Sequence, residues 1–324
     1  MRFLLDDEQR DFARALDAML TASDAPGAAR AWSRGEPEPG RALWARIAEA
    51  GVFALAVPEE FDGLGPLGVE LALAFEALGR HAVPGPAVET VATAVLLTEL
   101  GDAGLAKSWL PRIASGQVVA TLRIHANSPY ALDADAADAV FDLNDDELRL
   151  AAGSGEPAPS LDPVRRLTLP ESGGELLATG TAVRSAATRA SEWAALATAA
   201  QSLGVGRELL ARTVAYVQQR RQFGVAIGSF QAVKHRLADV LIALEFAQPL
   251  LHAAALSQDG RDIAMAKVAT GEAACLAARA ALQLHGAIGY TEELDLSLWI
   301  RKARPLRDAW GTPAACRARI LDAD

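Results

Sequence analysis

A chain of 324 residues, 51% hydrophobic with glycine and proline near their usual shares, is long enough to bury a large core and to divide into two or three domains. Its formal net charge of −10 excludes an ordinary nucleic-acid surface, which needs clustered Lys and Arg against phosphates, but leaves room for a small anion held locally. Cys275 and Cys316 lie far from each other and from any metal-like spacing, so both read as buried thiols and no metal site is expected.

The opening Met1-Arg2-Phe3-Leu4-Leu5 runs straight into Asp6-Asp7-Glu8 without the basic-flanked apolar stretch of a leader. No uninterrupted apolar run reaches the roughly 18 residues of a membrane span, so the expectation is a cytoplasmic protein outside the membrane. Up to Gly116 the pattern is helical. Asp6 is placed to cap a helix with Phe12, Leu16, Met19 and Leu20 on one side; residues 35–40 break it; a second helix with Leu43, Trp44 and Ile47 stops at Gly51. A turn-laden connector from Leu55 to Gly65 leads to a helix carrying Leu71, Leu73, Phe75 and Leu78.

Near Val118 the texture changes to short alternating strands at 118–122, 139–143, 147–150, 166–169 and 176–178, with a turn signal at Asn144-Asp145-Asp146. Helices then resume. One carries Leu203, Leu210, Val214 and Val217; a second carries Phe230, Val233, Leu237, Val240 and Leu244, with Pro249 placed to kink or end it; a third, rich in alanine, spans about 263–282. Four antiparallel helices of this kind make a bundle, whose alanine-rich faces suit a tight internal core or a subunit contact. The fold class is therefore mainly α with a small middle β-domain, divided as 1–117, 118–185 and 186–324.

The most informative stretch is Gln218-Gln219-Arg220-Arg221-Gln222-Phe223-Gly224, followed by Ile227-Gly228-Ser229-Phe230-Gln231. It reads as a helix end rich in arginine, a glycine turn and a new helix with Ser229 at its N-cap. Arginines beside a helix N-terminus can hold a phosphate, although a plain helical corner with solvated arginines has the same signature. Together with Gln283-Leu284-His285-Gly286-Ala287-Ile288-Gly289-Tyr290, this stretch resembles the C-terminal domain of acyl-CoA dehydrogenases, flavoenzymes that desaturate acyl-CoA thioesters. The phrase Val57-Pro58-Glu59-Glu60-Phe61-Asp62-Gly63-Leu64-Gly65, the helix end Glu76-Ala77-Leu78-Gly79-Arg80 and Trp109-Leu110-Pro111 are similar to that family's N-terminal domain. The middle resembles it poorly. It lacks the family's Thr-Glu-Pro-x-x-Gly-Ser flavin-ring loop, having Leu122-Arg123-Ile124-His125-Ala126-Asn127-Ser128-Pro129 instead, and contains no tryptophan.

The resemblance implies FAD, with its adenosine and pyrophosphate gripped by a neighbouring subunit through Arg220, Phe223, Gln231, Gln283, Gly286 and Ala287, the last replacing the usual second glycine. It also implies a glutamate base to remove the α-proton. Ungapped counting places Trp310 and Ala194 at the two positions where the family carries that base, and neither an indole nor a methyl group can take up a proton. Glu192 is the one local rescue candidate, although two residues' shift turns it about 200° round the helix, so a solvated or capping role competes. Asp308 reads as a surface charge and His285 as a packed histidine rather than an acid or base.

Loss of both base positions with retention of the dinucleotide residues is similar to one arrangement in the family: the catalytically deficient subunit of bacterial α2β2 acyl-CoA dehydrogenases of steroid side-chain degradation. The expectation is thus a chain that completes the FAD site of a homologous catalytic partner. That partner would bind most of the acyl-CoA and pass electrons to an electron-transfer flavoprotein or similar acceptor. Two alternatives stand beside it: a self-contained flavoenzyme using Glu192, and a flavin-free helical scaffold or acyl-CoA-binding module.

Overall fold

The computed structural model describes residues 4–322, so Met1-Arg2-Phe3 of the opening lies outside the described residues. Helix α1 (Asp7–Thr21) starts in a reciprocal box: the Asp6 carboxylate accepts from the Gln9 backbone at 2.8 Å, and the Gln9 amide oxygen accepts from the Asp6 N–H. The pattern running on to residue 35 is two helices, because Asp24 caps a new start and separates α2 (Ala25–Ser33) from α1. Helix α3 (Glu38–Glu49) ends where Gly51 turns into the left-handed region at φ 81°. Helices α4 (Gly68–Arg80), α5 (Ala87–Glu99) and α6 (Ala103–Ala114) complete this part. Helix α5 is buried on nearly every side, and Glu89 is the one acid among its buried residues.

The middle strands are β1 (Ala120–Ile124), β2 (Ala131–Leu132), β3 (Ala139–Asn144), β4 (Glu147–Leu150), β5 (Leu167–Thr168) and β6 (Glu175–Thr179). They form a four-stranded sheet in the order β1-β3-β4-β6, with β1 parallel to β3 and the rest antiparallel, while β2 and β5 pair as a separate ribbon. Five of the six follow the sequence pattern; β2 and β5 are both two residues long, and only β5 lies in an alternating run, Arg166-Leu167-Thr168-Leu169.

Asp133, just after β2, is buried with φ 53°; its backbone N–H donates to the Arg166 carbonyl and its Oδ1 accepts from the Arg166 N–H at 3.0 Å. Burial pushes its carboxyl up to about 7. Because the folded value lies above the unfolded one, this group's contribution is full below about pH 4 and is lost as the pH rises towards 7. Asp133→Asn keeps the acceptor oxygen and the tolerance of positive φ without the charge. It is expected to raise stability above pH 7 by about 4 kcal/mol and to leave it nearly unchanged at pH 4, as urea unfolding at the two pH values would show.

The remainder comprises α7 (Thr181–Gln219), the ribbon β7 (Arg221–Gln222) and β8 (Val225–Ala226), α8 (Gln231–Ser257), α9 (Gly260–His285), α10 (Leu296–Asp308) and α11 (Pro313–Leu321). Successive long helices run antiparallel. Arg207 of α7 meets Glu245 and Gln248 of α8, and Cys275 of α9 meets the Ala303 carbonyl of α10. Helices α7 and α9 therefore run parallel and lie directly against each other, with Gly206 beside Ala274. Gly204 of α7 comes so close to the Glu76 carbonyl of α4 that a Cβ would sit 2.0 Å from it; glycine there joins the N-terminal helices to the bundle backbone to backbone.

Pro249 does not end α8, which runs through it to Ser257. Leu244, Ala247 and Leu251 around it are buried, and this packing carries the helix through the missing hydrogen bond. By length and composition α8 alone among the described helices could cross a bilayer, with a mean hydropathy of 1.5 over its most apolar 18 residues. The sequence reading missed this because scattered polar residues interrupt every apolar run. Its inner side packs on α7 and α9, while Leu241, Ile242 and Phe246 form an exposed outer stripe. Cys275 and Cys316 are free and buried.

Candidate functional site

Helix α7 hands over at Arg220 to a two-residue hairpin in which Phe223 (φ 53°) and Gly224 (φ 82°) are consecutive left-handed residues. Glycine takes that geometry freely; phenylalanine does so at a cost of order 1 kcal/mol, and strain of this kind concentrates at working sites. The Phe223 ring is 90% exposed at the tip and touches only the edge of Phe230, at 6.2 Å between centroids. Arg221 turns back to donate to the Gly224 carbonyl at 3.2 Å. Arg220 does not: its backbone is held by Tyr216 and Ile227, but among the described residues its guanidinium has no hydrogen bond or ion pair and stands in solvent.

Ser229 is not the cap of the following helix. Its hydroxyl donates to the Ala226 carbonyl at 2.7 Å, and the residue before α8 is Phe230, which has no side chain to offer. Ser229 is taken by the short 3₁₀ turn that closes the hairpin, so α8 begins with exposed Gln231 and without a side-chain cap. Uncapped first-turn donors remain available to an anion.

The end of α9 lies at the same end of the bundle. His285 stacks on Tyr216 at 4.1 Å, the Tyr216 hydroxyl donates to the His285 carbonyl, and His285 Nδ1 donates to the Ala281 carbonyl at 2.8 Å. Burial lowers its pKa, which keeps the ring neutral and in a packing role. Beyond it the chain turns at Gly286 (φ 65°), with no atom within 4 Å of where a Cβ would stand, and Gln283, Gly286 and Ala287 are all exposed. The structure thus brings Arg220, Phe223, Gln231 and the Gln283–Ala287 turn to one end of the bundle. Together they offer a charge, an aromatic face, two amides and an open backbone for something long, planar and anionic.

Trp310 stands elsewhere, after α10. Lys267 sets that turn by donating to the carbonyls of Leu306, Arg307 and Gly311 at 2.9, 2.7 and 3.3 Å, which satisfies the helix's last acceptors; burial pulls this lysine down to about 8. Trp310 (φ 53°) donates its indole N–H to Glu89 Oε1 at 3.0 Å and covers a cavity of about 490 Å³ between α5, β1 and the start of α11. Glu89 is the residue the sequence reading missed. The available signal was a lone carboxylate among the otherwise uncharged buried residues of α5.

Ala194 is buried inside α7. Glu192, on the same helix, pairs with Arg189 at 3.1 Å and with Arg319, beside Gly260, and is not among the cavity's lining residues. Asp308 lines the cavity but is engaged in a bidentate pair with Arg307. The donors of the 122–129 stretch are engaged within the chain: Arg123 pairs with Asp142 and donates to the Pro129 carbonyl, Asn127 and Ser128 N–H groups donate to the Ile124 carbonyl, and the Asn127 amide donates to Ser191.

Residues 6–117 match the family model for the acyl-CoA dehydrogenase N-terminal domain and residues 184–323 the model for its C-terminal domain. The acyl-CoA dehydrogenase IpdE2 of Mycobacterium tuberculosis is 33% identical over 303 residues, covering 91% of each chain. The ChsE4-ChsE5 complex from Mycobacterium tuberculosis has a chain of the same fold, with a TM-score of 0.84 at 24% identity over 99% of this chain and 98% of that one. A variant of the Tcur3481-Tcur3483 steroid ACAD has the same score at 24% identity over 98% and 97%.

Proposed function

The chain belongs to the acyl-CoA dehydrogenase family, and from that premise we propose that it is the base-deficient subunit of a heteromeric enzyme, lending one half of an FAD site to a homologous catalytic partner. When bound, FAD supplies the oxidant for α,β-desaturation of an acyl-CoA thioester. The residues present fit that group unevenly. Arg220, Phe223, Gln231, Gln283, Gly286 and Ala287 are all exposed to solvent, as a pyrophosphate and adenosine would require. The loop at 122–129, which should meet the flavin ring, has its donors engaged within the chain.

The observation that carries the reading is Trp310. At the position where a proton acceptor is required, an indole donates to Glu89 and roofs the cavity, while Ala194 at the other position is sealed in the core. The exposed stripe of Leu241, Ile242 and Phe246 on α8 supports a subunit contact, since a monomer gains nothing by wetting it. The steroid class of substrate is supported by the fold-level likeness to the Tcur3481-Tcur3483 steroid ACAD. On this reading the partner binds most of the thioester and hands electrons to an electron-transfer flavoprotein or similar acceptor.

The test is to purify the chain alone and together with a homologous chain that carries a glutamate base. Alone it is expected to be colourless and inactive; the pair is expected to be yellow and active. A yellow, active preparation of this chain by itself would overturn the reading.

A further inference from the structure

His252 of α8 is 8% exposed, and among the described residues its buried Nε2 has no hydrogen-bond partner. Such groups are rare in folded proteins and call for an explanation, since an apolar residue of similar size would fill the place without one. The histidine stands at the join between the N-terminal helices and the bundle. At one end of that join, Gly68 of α4 comes so close to α8 that a Cβ would sit 2.5 Å from the Ala255 carbonyl. At the other, Arg207 of α7 bridges Glu76 of α4, at 3.1 Å, to Glu245 and Gln248 of α8, at 3.2 and 3.0 Å. Residue 252 falls between 248 and 255, at helical spacings of four and three, on the side of α8 turned to this join.

We propose that His252 is an acid-sensitive catch between α4 and α8, holding the N-terminal helices on the bundle while it is neutral and parting them when it takes up a proton. A neutral imidazole can leave Nε2 as a bare acceptor, whereas an imidazolium must donate from both nitrogens, and at Nε2 nothing accepts. The charge that acts on the ring is the cation of Arg207. The acids at the join, Glu76 and Glu245, are both held on Arg207, and Arg80, the other cation of α4 there, pairs with Asp17 at 3.6 Å. Burial first and Arg207 second therefore lower the histidine's pKa. Because its folded value lies below the unfolded one near 6.5, its contribution is complete above about pH 6.5 and is lost as the pH falls through the folded value. Burial raises Glu76, which works in the opposite sense, as Asp133 does. The share of His252 is therefore read against a variant that cannot titrate at that position.

Backbone hydrogen exchange of the full chain at pH 7.5 and 5.5, corrected for intrinsic rates, tests the catch. On acidification the natural chain is expected to lose about three- to tenfold more protection than His252→Leu across α4 and residues 248–255 of α8, and no more than that variant in the middle of α9. The upper bound is the one unit between pH 5.5 and the ordinary histidine value near 6.5. Should His252→Leu not fold, His252→Gln, also uncharged at both pH values, serves the same comparison. An equal response in natural and variant chains, or an extra loss spread evenly through α9, would overturn the proposal. Flavin takes no part in this measurement, so the catch and the shared cofactor fail separately.

Discussion

Arg220→Ala is expected to strip FAD from the assembled complex, raising the dissociation constant about 10- to 100-fold, while the chain itself folds as before. The magnitude follows from a charge-assisted hydrogen bond to a phosphate oxygen, about 1.5–3 kcal/mol, at roughly 1.4 kcal/mol per factor of ten. The folding half of the expectation follows from geometry. Arg220 is the residue after the last turn of α7, its backbone hydrogen bonds run to Tyr216 and Ile227, and its guanidinium supports nothing in its own chain. Arg221→Ala is the contrast. That side chain donates to the Gly224 carbonyl and so serves the hairpin, and its loss should cost a few tenths of a kcal/mol of stability and little flavin. Flavin absorbance after gel filtration, against thermal unfolding of the same preparations, separates the two. If Arg220→Ala retained its flavin in full, a grip on the pyrophosphate by this chain would be untenable.

The two halves of this argument were legible in the sequence to different degrees. Arg220, Phe223 and Gly224 could be named from the order of residue types, since a helix end, an arginine pair and a glycine turn are all local features. Phe223 taking a left-handed conformation beside Gly224 could not, because nothing in a phenylalanine announces positive φ and only the hairpin register imposes it. Ser229 shows the same limit from the other side. A serine one residue before a helical run is a good cap by statistics, but a 3₁₀ turn took its hydroxyl first. Of the two two-residue strands, β5 was legible because it lies in the alternating run Arg166-Leu167-Thr168-Leu169, and β2 was lost because no such run surrounds it.

Helix ends and faces were thus local matters, and the errors arose where distant packing decided. Pro249 sits within a helix because buried neighbours hold it there, and Asp24 divides what hydrophobic spacing had joined. Glu89 is the clearest case. Its partners Trp310 and Arg165 lie 221 and 76 positions away, and no spacing rule connects them. The charge of −10 argues against a nucleic-acid surface as a matter of field and says nothing of where single cations stand.

The largest stability effect should come from Asp162→Ala, at a cost of about 3–5 kcal/mol. Asp162 Oδ2 meets Lys302 Nζ of α10 at 2.9 Å, its other oxygen accepts from the Val164 N–H at 3.1 Å, and the two side chains are 1% and 8% exposed. Replacing the aspartate leaves an ammonium buried without a counter-charge, which is far worse than never having had the pair. A domain stable by 5–15 kcal/mol would lose a large fraction of its margin. The double change Asp162→Leu with Lys302→Met removes both charges at similar volume and should recover most of the loss, so the comparison distinguishes a stranded charge from a general intolerance of change at these positions. Urea midpoints with an unchanged slope report the difference directly. The pair also ties the β-layer loop, including Ser160 and Arg165 of the Trp310 cavity, to the bundle that carries Trp310. A single variant costing under about 1 kcal/mol would mean that water reaches this pair in solution and that the β-layer and the bundle are joined elsewhere.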